Sequence, residues 1–206
     1  MVLALKRIRW WLIFLASLTP LFFVIYQVLF DQLGADPAQA IVLVTGIWAL
    51  RFILITLAVT PVKKVHVNSV LSLKWIVSFR RMLGLFALFY TVLHLFAFLT
   101  FILGWRIDLI SRELTQRPYI VVGLVSFLIM LPLGITSTKS WMKRLGKNWM
   151  RLHWLIYPAS ILAMLHYVMQ VRAGYAEHLF YGSVLLLLLG YRIVVWFFRK
   201  NKQKIR

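Results

Sequence analysis

Apolar residues occur in six long blocks that are separated by short polar segments. Each block matches the helix of roughly 20 residues that crosses the ~30 Å hydrocarbon core of a bilayer. The pattern therefore predicts an all-α integral membrane protein, a bundle of six transmembrane helices that forms one domain over residues 1–206. The predicted spans are residues 10–30, 40–60, 82–105, 118–137, 152–171 and 179–198.

The first block follows a basic segment at residues 6–9 and so resembles a secretory signal peptide. A signal peptide closes with a small-residue cleavage site. This block closes instead with two large apolar residues and an aspartate, at residues 28–31. We therefore expect it to be retained as the first transmembrane helix.

The formal net charge is +19, from 24 basic and five acidic residues. In a soluble domain this charge would suggest nucleic acid as the partner. Here most basic residues fall on the side that carries both termini, and all five acidic residues fall on the other side. The positive-inside rule places both termini in the cytoplasm, in a bacterial inner (cytoplasmic) membrane. The charge then reflects topology, and no nucleic-acid partner is expected.

Several kinds of chemistry are excluded by composition and motifs. The chain has no cysteine, which excludes disulfides, thiolate metal sites, iron–sulfur clusters and cysteine nucleophiles. It also lacks a Walker loop, a GxGxxG motif and an HExxH motif. Because no nucleotide domain is recognisable, the chain is not a complete NADPH oxidase of the usual kind.

Three histidines lie within or at the end of predicted spans: His94, His153 and His166. Ionisable residues are costly inside a membrane, so each requires a reason. His94 and His166 lie at similar distances from the starts of the third and fifth spans, which run in the same direction. Two imidazoles at one depth on neighbouring helices can occupy both axial positions of a haem. The sequence therefore predicts haem b between His94 and His166.

His153 lies about 20 Å from His166 along an ideal helix, a separation that suits a second cofactor. Its partner on the third span would lie near position 80, which is Arg80, followed by Arg81. A guanidinium does not ligate iron as an imidazole does, so a second bis-histidine haem is not predicted here. On an ideal helix the two histidines also point about 140° apart. Pro158 lies between them, and whether its kink brings both to one face stays open.

The histidines also have a structural interpretation. A histidine in a membrane span often forms a hydrogen bond between helices. For His153, an interfacial position without a cofactor is an equal alternative to a cofactor role. His66 and His178 lie in or beside loops, and we expect them to be solvated or interfacial.

Arg51 lies about halfway along the second span, where an uncompensated charge costs about 3 kcal/mol or more. It can snorkel or bind backbone carbonyls, but the sharper hypothesis is a salt bridge to a haem propionate. That hypothesis follows because no acidic side chain lies in any predicted span. Arg80 and Arg81 are explained by the positive-inside bias. The alternative is that they bind an anionic cofactor such as a flavin phosphate.

The chain resembles a known family in residues that follow one another in order over nearly its whole length. The matching segments are residues 45–51, 60–61, 80–85, 94–95, 117–119, 136–138, 144–149, 152–153 and 166–167. Together they resemble the MsrQ (YedZ) family, which belongs to the ferric-reductase-like transmembrane proteins.

The resemblance implies a haem-binding membrane subunit of a periplasmic protein-methionine-sulfoxide reductase system. It implies that His94 and His166 ligate haem b, that His153 is a further haem- or cofactor-associated histidine, and that FMN binds. Electrons would come from the quinone pool, or from a cytoplasmic flavin reductase, and pass to the periplasmic molybdopterin subunit MsrP. The chain would be the redox subunit of that oxidoreductase complex and not its catalytic subunit. Relative to larger ferric reductases, Arg80 replaces the first histidine of the third helix.

Two other functions remain open at this point. One is a stand-alone ferric or quinone reductase of the same fold. The other is a haem-free transporter or scaffold, which is weakened because the sequence has no inverted repeat and no pair of broken helices. An internal similarity, in which residues 81–95 align with residues 153–167, pairs His94 with His166.

Overall fold

The computed structural model describes residues 2–65, 73–170 and 174–204, and all regular secondary structure in these ranges is helical. A 3₁₀ helix at Leu73–Phe79 precedes the third long helix, and a π-helical turn at Phe98–Ile102 follows it. The α-helices are α1 (Val2–Leu29), α2 (Pro37–Val65), α3 (Arg80–Ala97), α4 (Ile107–Gln116), α5 (Pro118–Ile135), α6 (Lys139–Leu145), α7 (Lys147–His153), α8 (Ile156–Met169) and α9 (Ala176–Lys204).

The six predicted spans are confirmed as six apolar helical segments, each long enough to cross a membrane. Each segment begins at or before its predicted start. The third ends earlier than predicted because the backbone turns at Gly104 and Trp105, which both adopt positive φ. The segments are Leu5–Leu29, Pro37–Val62, Trp75–Ile102, Pro118–Ile135, Lys147–Met169 and Ala176–Phe198. The chain is thus a multi-pass membrane protein.

The fifth span is divided into two helices. α7 ends at His153 and α8 begins at Ile156, with Trp154 and Leu155 held by hydrogen bonds to carbonyls three residues earlier. Pro158 lies in the first turn of α8, where its missing N–H costs little. The kink anticipated at Pro158 is therefore a break in the helix just before it.

Two helical hairpins form the centre of the bundle, α2 with α3 and α5 with α8. α2 is the most buried span, and its Ile53 and Leu57 are almost completely enclosed. α1 and α9 lie at the periphery and expose many large apolar side chains, as lipid-facing helices do. The second helix of each hairpin carries one histidine, His94 on α3 and His166 on α8.

A proline break in α1 is closed by a side chain from α3. Pro20 interrupts the hydrogen-bond ladder of α1 because it has no N–H and displaces the preceding turn. The hydroxyl of the buried Tyr90 enters this opening, donating to the Ser17 carbonyl at 2.8 Å and accepting from the Leu21 N–H at 3.2 Å. Tyr90 thereby anchors α1 to the helix that carries His94.

Candidate functional site

The imidazoles of His94 and His166 face each other across the two central hairpins. Their ring centroids are 6.0 Å apart, and the ring planes cross at 80°. The structure therefore brings together the two histidines that the sequence placed at one depth. Both side chains are half-buried.

Each of these rings is oriented by a backbone carbonyl on the preceding helix of its own hairpin. His94 Nδ1 lies 2.9 Å from the carbonyl oxygen of Val42 on α2. His166 Nδ1 lies 2.6 Å from the carbonyl oxygen of Tyr119 on α5. A carbonyl only accepts hydrogen bonds, so each Nδ1 carries the proton and each Nε2 keeps its lone pair. That is the tautomer an iron ligand needs.

The pair fits a haem. Two imidazole–metal bonds of about 2 Å in line, together with the radius of each ring, place ring centroids about 6 Å apart. The observed centroid distance is 6.0 Å. The described residues include no group of three or more histidine, cysteine or carboxylate side chains that could hold a metal alone. A pair of axial ligands is sufficient for a haem, because the macrocycle supplies the other bonds.

One side chain competes for the same site. Gln170, one turn beyond His166, donates its amide N–H to His166 Nε2 at 2.7 Å. Iron ligation through His166 Nε2 requires this amide to turn away. Sequence analysis did not single out Gln170, although its position four residues after a histidine on a helix places the two side chains side by side.

His153 lies at the other end of the same span and is half-buried. Its ring stacks on Trp149 with centroids 4.0 Å apart, and its Nδ1 lies 3.1 Å from the Trp149 carbonyl oxygen. Its Nε2 lies 3.4 Å from Ser137 Oγ, just after α5. His166 faces the start of α5 and His153 its end. The break before Pro158 has therefore brought both histidines to the face that meets α5.

Near His153 the third span contributes a cation, as expected from position 80. Arg80 is half-buried and lies close enough to the Tyr157 side chain and to His153 to interact with both. Arg192 of α9 lies over the Tyr157 ring at 5.4 Å and donates to the carbonyls of Leu188 and Leu57. We call Arg80, His153, Tyr157 and Arg192 the cationic cluster. Sequence analysis gave no role to Arg192 or to Tyr157.

Arg81, adjacent to Arg80, differs from it in environment. Its side chain is exposed, and its Nη1 lies 3.6 Å from the sulfur of Met142 on α6. Of the two arginines grouped together by sequence, the structure places only Arg80 in the cationic cluster.

Arg51 has aromatic and hydroxyl partners. Its Nε donates to the Tyr181 hydroxyl at 2.8 Å, and its guanidinium lies 4.7 Å from the centroid of the Trp48 ring. The salt bridges among the described residues are Arg106–Asp108 and Arg117–Glu113, so no carboxylate there pairs directly with Arg51. A cation held in place without a carboxylate is suited to an anionic group of a bound molecule.

His178 has no part in this pair. It is half-buried in the first turn of α9 and stacks on Tyr167 at 4.1 Å, so of the two predicted positions, solvated or interfacial, it is not the fully solvated one. The aromatic neighbour and the first turn of α9 shield it. His66 lies outside the described residues.

Comparisons with known proteins identify the family of this chain. The profile of the family described as "Ferric reductase like transmembrane component" matches residues 45–164. A relative in Xanthomonas euvesicatoria pv. vesicatoria (strain 85-10) is 45% identical over 188 residues, which cover 88% of this chain and 84% of the relative. That relative is named "Protein-methionine-sulfoxide reductase heme-binding subunit MsrQ". This chain belongs to the MsrQ family of ferric-reductase-like transmembrane proteins.

Other MsrQ relatives cover similar shares of the chain. The one from Xanthomonas campestris pv. campestris (strain 8004) is 48% identical over 163 residues, covering 79% of this chain and 72% of the relative. The one from Polaromonas naphthalenivorans (strain CJ2) is 42% identical over 186 residues, covering 88% and 82%. No solved structure matches the chain. The profile match includes His94 and His153 and ends just before His166.

Proposed function

We propose that this protein is a haem b electron-transfer subunit that passes electrons to a periplasmic molybdopterin methionine-sulfoxide reductase, MsrP. The observation that carries the proposal is the facing pair His94 and His166, with centroids 6.0 Å apart and both Nδ1 atoms on carbonyls. The names of the MsrQ relatives support a haem and a methionine-sulfoxide reductase system. The catalytic subunit of that system would then be the partner protein, which repairs oxidised periplasmic proteins.

When bound, the haem supplies a one-electron carrier within the membrane. The chain's own residues orient the two axial imidazoles and enclose them between hairpins. Because the pair lies beside Val42 and Tyr119, near the starts of α2 and α5, it is closer to the side opposite the termini. With both termini in the cytoplasm of a bacterial inner membrane, that side is the periplasm. A haem there would be within reach of a periplasmic acceptor.

The cationic cluster would be where electrons enter. Arg80 interacts with His153, and the guanidinium groups of Arg80 and Arg192 both lie beside Tyr157. Guanidinium groups bind phosphates and carboxylates through charge-assisted hydrogen bonds. FMN, with its phosphate on this cluster, would receive electrons from the quinone pool or from a cytoplasmic flavin reductase. Arg51 would bind a haem propionate with the guanidinium nitrogens that do not contact Tyr181.

The decisive experiment purifies the protein after expression with ample haem and measures haem and flavin stoichiometry and the reduced-minus-oxidised spectrum. We expect a low-spin b-type spectrum that is lost in His94→Ala and in His166→Ala. Folded variants lacking both histidines but keeping the normal spectrum would disprove the ligand assignment. Colourless wild-type protein would favour a haem-free transporter or scaffold.

The partner is tested with the same protein. After chemical reduction, haem reoxidation is followed on adding the purified periplasmic molybdoenzyme with a methionine-sulfoxide substrate. We expect rapid reoxidation that requires both additions. If reoxidation occurs only with a ferric chelate or a quinone, the protein is a stand-alone reductase of the same fold.

A further inference from the structure

Both histidines of the pair touch a glycine on the neighbouring helix. A Cβ atom at Gly46 would lie 2.9 Å from His94 Nδ1 and 3.0 Å from His94 Cε1. A Cβ atom at Gly123 would lie 2.6 Å from His166 Nδ1 and 2.8 Å from His166 Cε1. Contacts this short force one of the two residues to move. An alanine at either position would therefore displace the imidazole.

The two glycines occupy the same register relative to the carbonyls that hold the rings. Val42 precedes Gly46 by four residues, and Tyr119 precedes Gly123 by four residues. In an α-helix the carbonyl of one residue lies against the N–H of the residue four positions later. A Cβ at that later residue therefore stands beside the carbonyl. Without it, an imidazole can approach from the side and donate a second hydrogen bond to the same oxygen.

We infer that Gly46 and Gly123 are positioning residues, which open the Val42 and Tyr119 carbonyls to His94 and His166 and so set the tautomer and plane of each iron ligand. The inference rests on the proposed haem site. A hydrogen bond from Nδ1 increases the basicity of a ligating imidazole and fixes its orientation. Each hairpin supplies one such bond, and the two ring planes it holds cross at 80°.

None of the other glycines in the spans makes a close contact with a histidine. A Cβ at Gly84 would meet Thr56 at 3.6 Å, one at Gly182 would meet Met164 at 3.5 Å, and one at Gly190 would meet nothing within 4 Å. Gly134 is tight, but against the side chain of Leu88. Among the glycines of the spans, only Gly46 and Gly123 therefore make room for a histidine ring.

The test compares Gly46→Ala and Gly123→Ala with the wild-type holoprotein. We expect each to lower haem affinity about tenfold or more, the usual cost of removing an outer-shell partner of a metal ligand. In the haem that remains, the low-spin EPR signal should change because the ring planes rotate. The midpoint potential should rise because a less basic imidazole favours ferric iron less. Because alanine favours a helix more than glycine does, helix propensity alone predicts that these variants are more stable and not that they bind haem more weakly.

Two controls separate positioning from folding. Gly84→Ala, on the same helix as His94, should keep wild-type affinity, EPR signal and potential. Gly134→Ala should lower thermal stability by crowding Leu88 while the bound haem keeps its wild-type EPR signal. The inference is overturned if Gly46→Ala and Gly123→Ala keep the wild-type signal and potential, or if they lose haem only in proportion to folded protein.

A measurement without haem distinguishes this inference from the proposed function. In protein labelled with ¹⁵N at histidine, we expect His94 and His166 to carry the proton on Nδ1, and the glycine variants to shift toward a mixture of tautomers. Unchanged tautomers in both variants would contradict the inference whether or not haem binds. A wild-type spectrum that survives loss of His94 and His166 would instead contradict the haem site alone.

Discussion

Two levels of the bundle use the same two spans in different ways. At one level α3 and α8 present His94 and His166, each bonded to a carbonyl of its own hairpin. At the other level the corresponding positions are Arg80, at the start of α3, and His153, at the end of α7. There the guanidinium of Arg80 stands where a second imidazole would be, and Arg192 of α9 adds a second guanidinium nearby.

The difference shows that the type of side chain at each level, imidazole or guanidinium, determines which kind of group can bind there. Two imidazoles that each keep the Nε2 lone pair suit a metal, because the ligand nitrogen must be deprotonated; at His166 the Gln170 amide must first turn away. Guanidinium groups have no lone pair to give, but they bind anions in a planar, two-pronged geometry. On the proposed function, one helical framework would therefore hold a metal at one depth and an anion at another.

The largest expected effect is the difference in haem binding between a variant of His166 and a variant of His153. His166→Ala removes an axial ligand, so we expect the low-spin spectrum to disappear and haem content to fall at least about tenfold. His153→Ala should keep that spectrum, because His153 bonds Trp149 and Ser137 and not the pair. Haem content and optical spectra of both variants check this. If His153→Ala also abolishes the signal, the two levels are not independent.

A second contrast compares adjacent arginines. Arg80→Gln should weaken FMN binding about tenfold, since a hydrogen bond to a charged group contributes about 1.5–3 kcal/mol. Arg81→Gln is the matched control, because Arg81 is exposed and contacts Met142. Fluorescence titration of the purified protein with FMN measures both. Equal losses in the two variants would show that general positive charge, and not the cationic cluster, attracts the flavin.

Variants of Arg51 test whether a cation also acts at the level of His94 and His166. If Arg51 binds a haem propionate as proposed, its positive charge stabilises the reduced haem, and Arg51→Gln should lower the midpoint potential by about 30–60 mV. Arg51→Lys keeps the charge and should change the potential less. Spectroscopic redox titration measures this. An unchanged potential in Arg51→Gln would mean that Arg51 only ties α2 to Tyr181 on α9.

The smallest expected effect is at Tyr90, one turn before His94, where the side chain supports packing alone. Tyr90→Phe removes the hydroxyl that bridges Ser17 and Leu21, and we expect a stability loss of about 1–2 kcal/mol. The haem spectrum should stay unchanged. Tyr26→Phe, on an exposed face of the same α1 helix, should leave thermal stability in detergent unaltered. A shifted spectrum in Tyr90→Phe would mean that the anchoring of α1 sets the position of His94.

The sequence predicted the six spans and the level of each histidine. Span length follows from bilayer thickness, and depth follows from residue counting along a helix with a constant rise. For the same reason it placed His94 with His166, and Arg80 with His153. It did not predict α4 or α6, which are too short or too polar to register as apolar blocks, and it placed the end of the third span beyond the turn at Gly104.

Counting residues along a helix could not predict which way each side chain points around the helix axis. The ideal phase put His153 and His166 on different faces, and only the break between α7 and α8 brought both to α5. The role of Arg192 likewise depended on how α9 packs against Tyr157. Small errors in rotation accumulate along a helix, and helix breaks reset the phase.

By itself, then, the sequence determined which helices cross the membrane and which polar residues share a depth, because hydropathy and rise per residue are local properties. Only the tertiary structure decided which atoms meet. The distance between the His94 and His166 rings, their carbonyl partners, and the clearance at Gly46 and Gly123 all depend on helices that are far apart in sequence. Such contacts arise from the close packing of the two hairpins, which no single segment of the chain specifies.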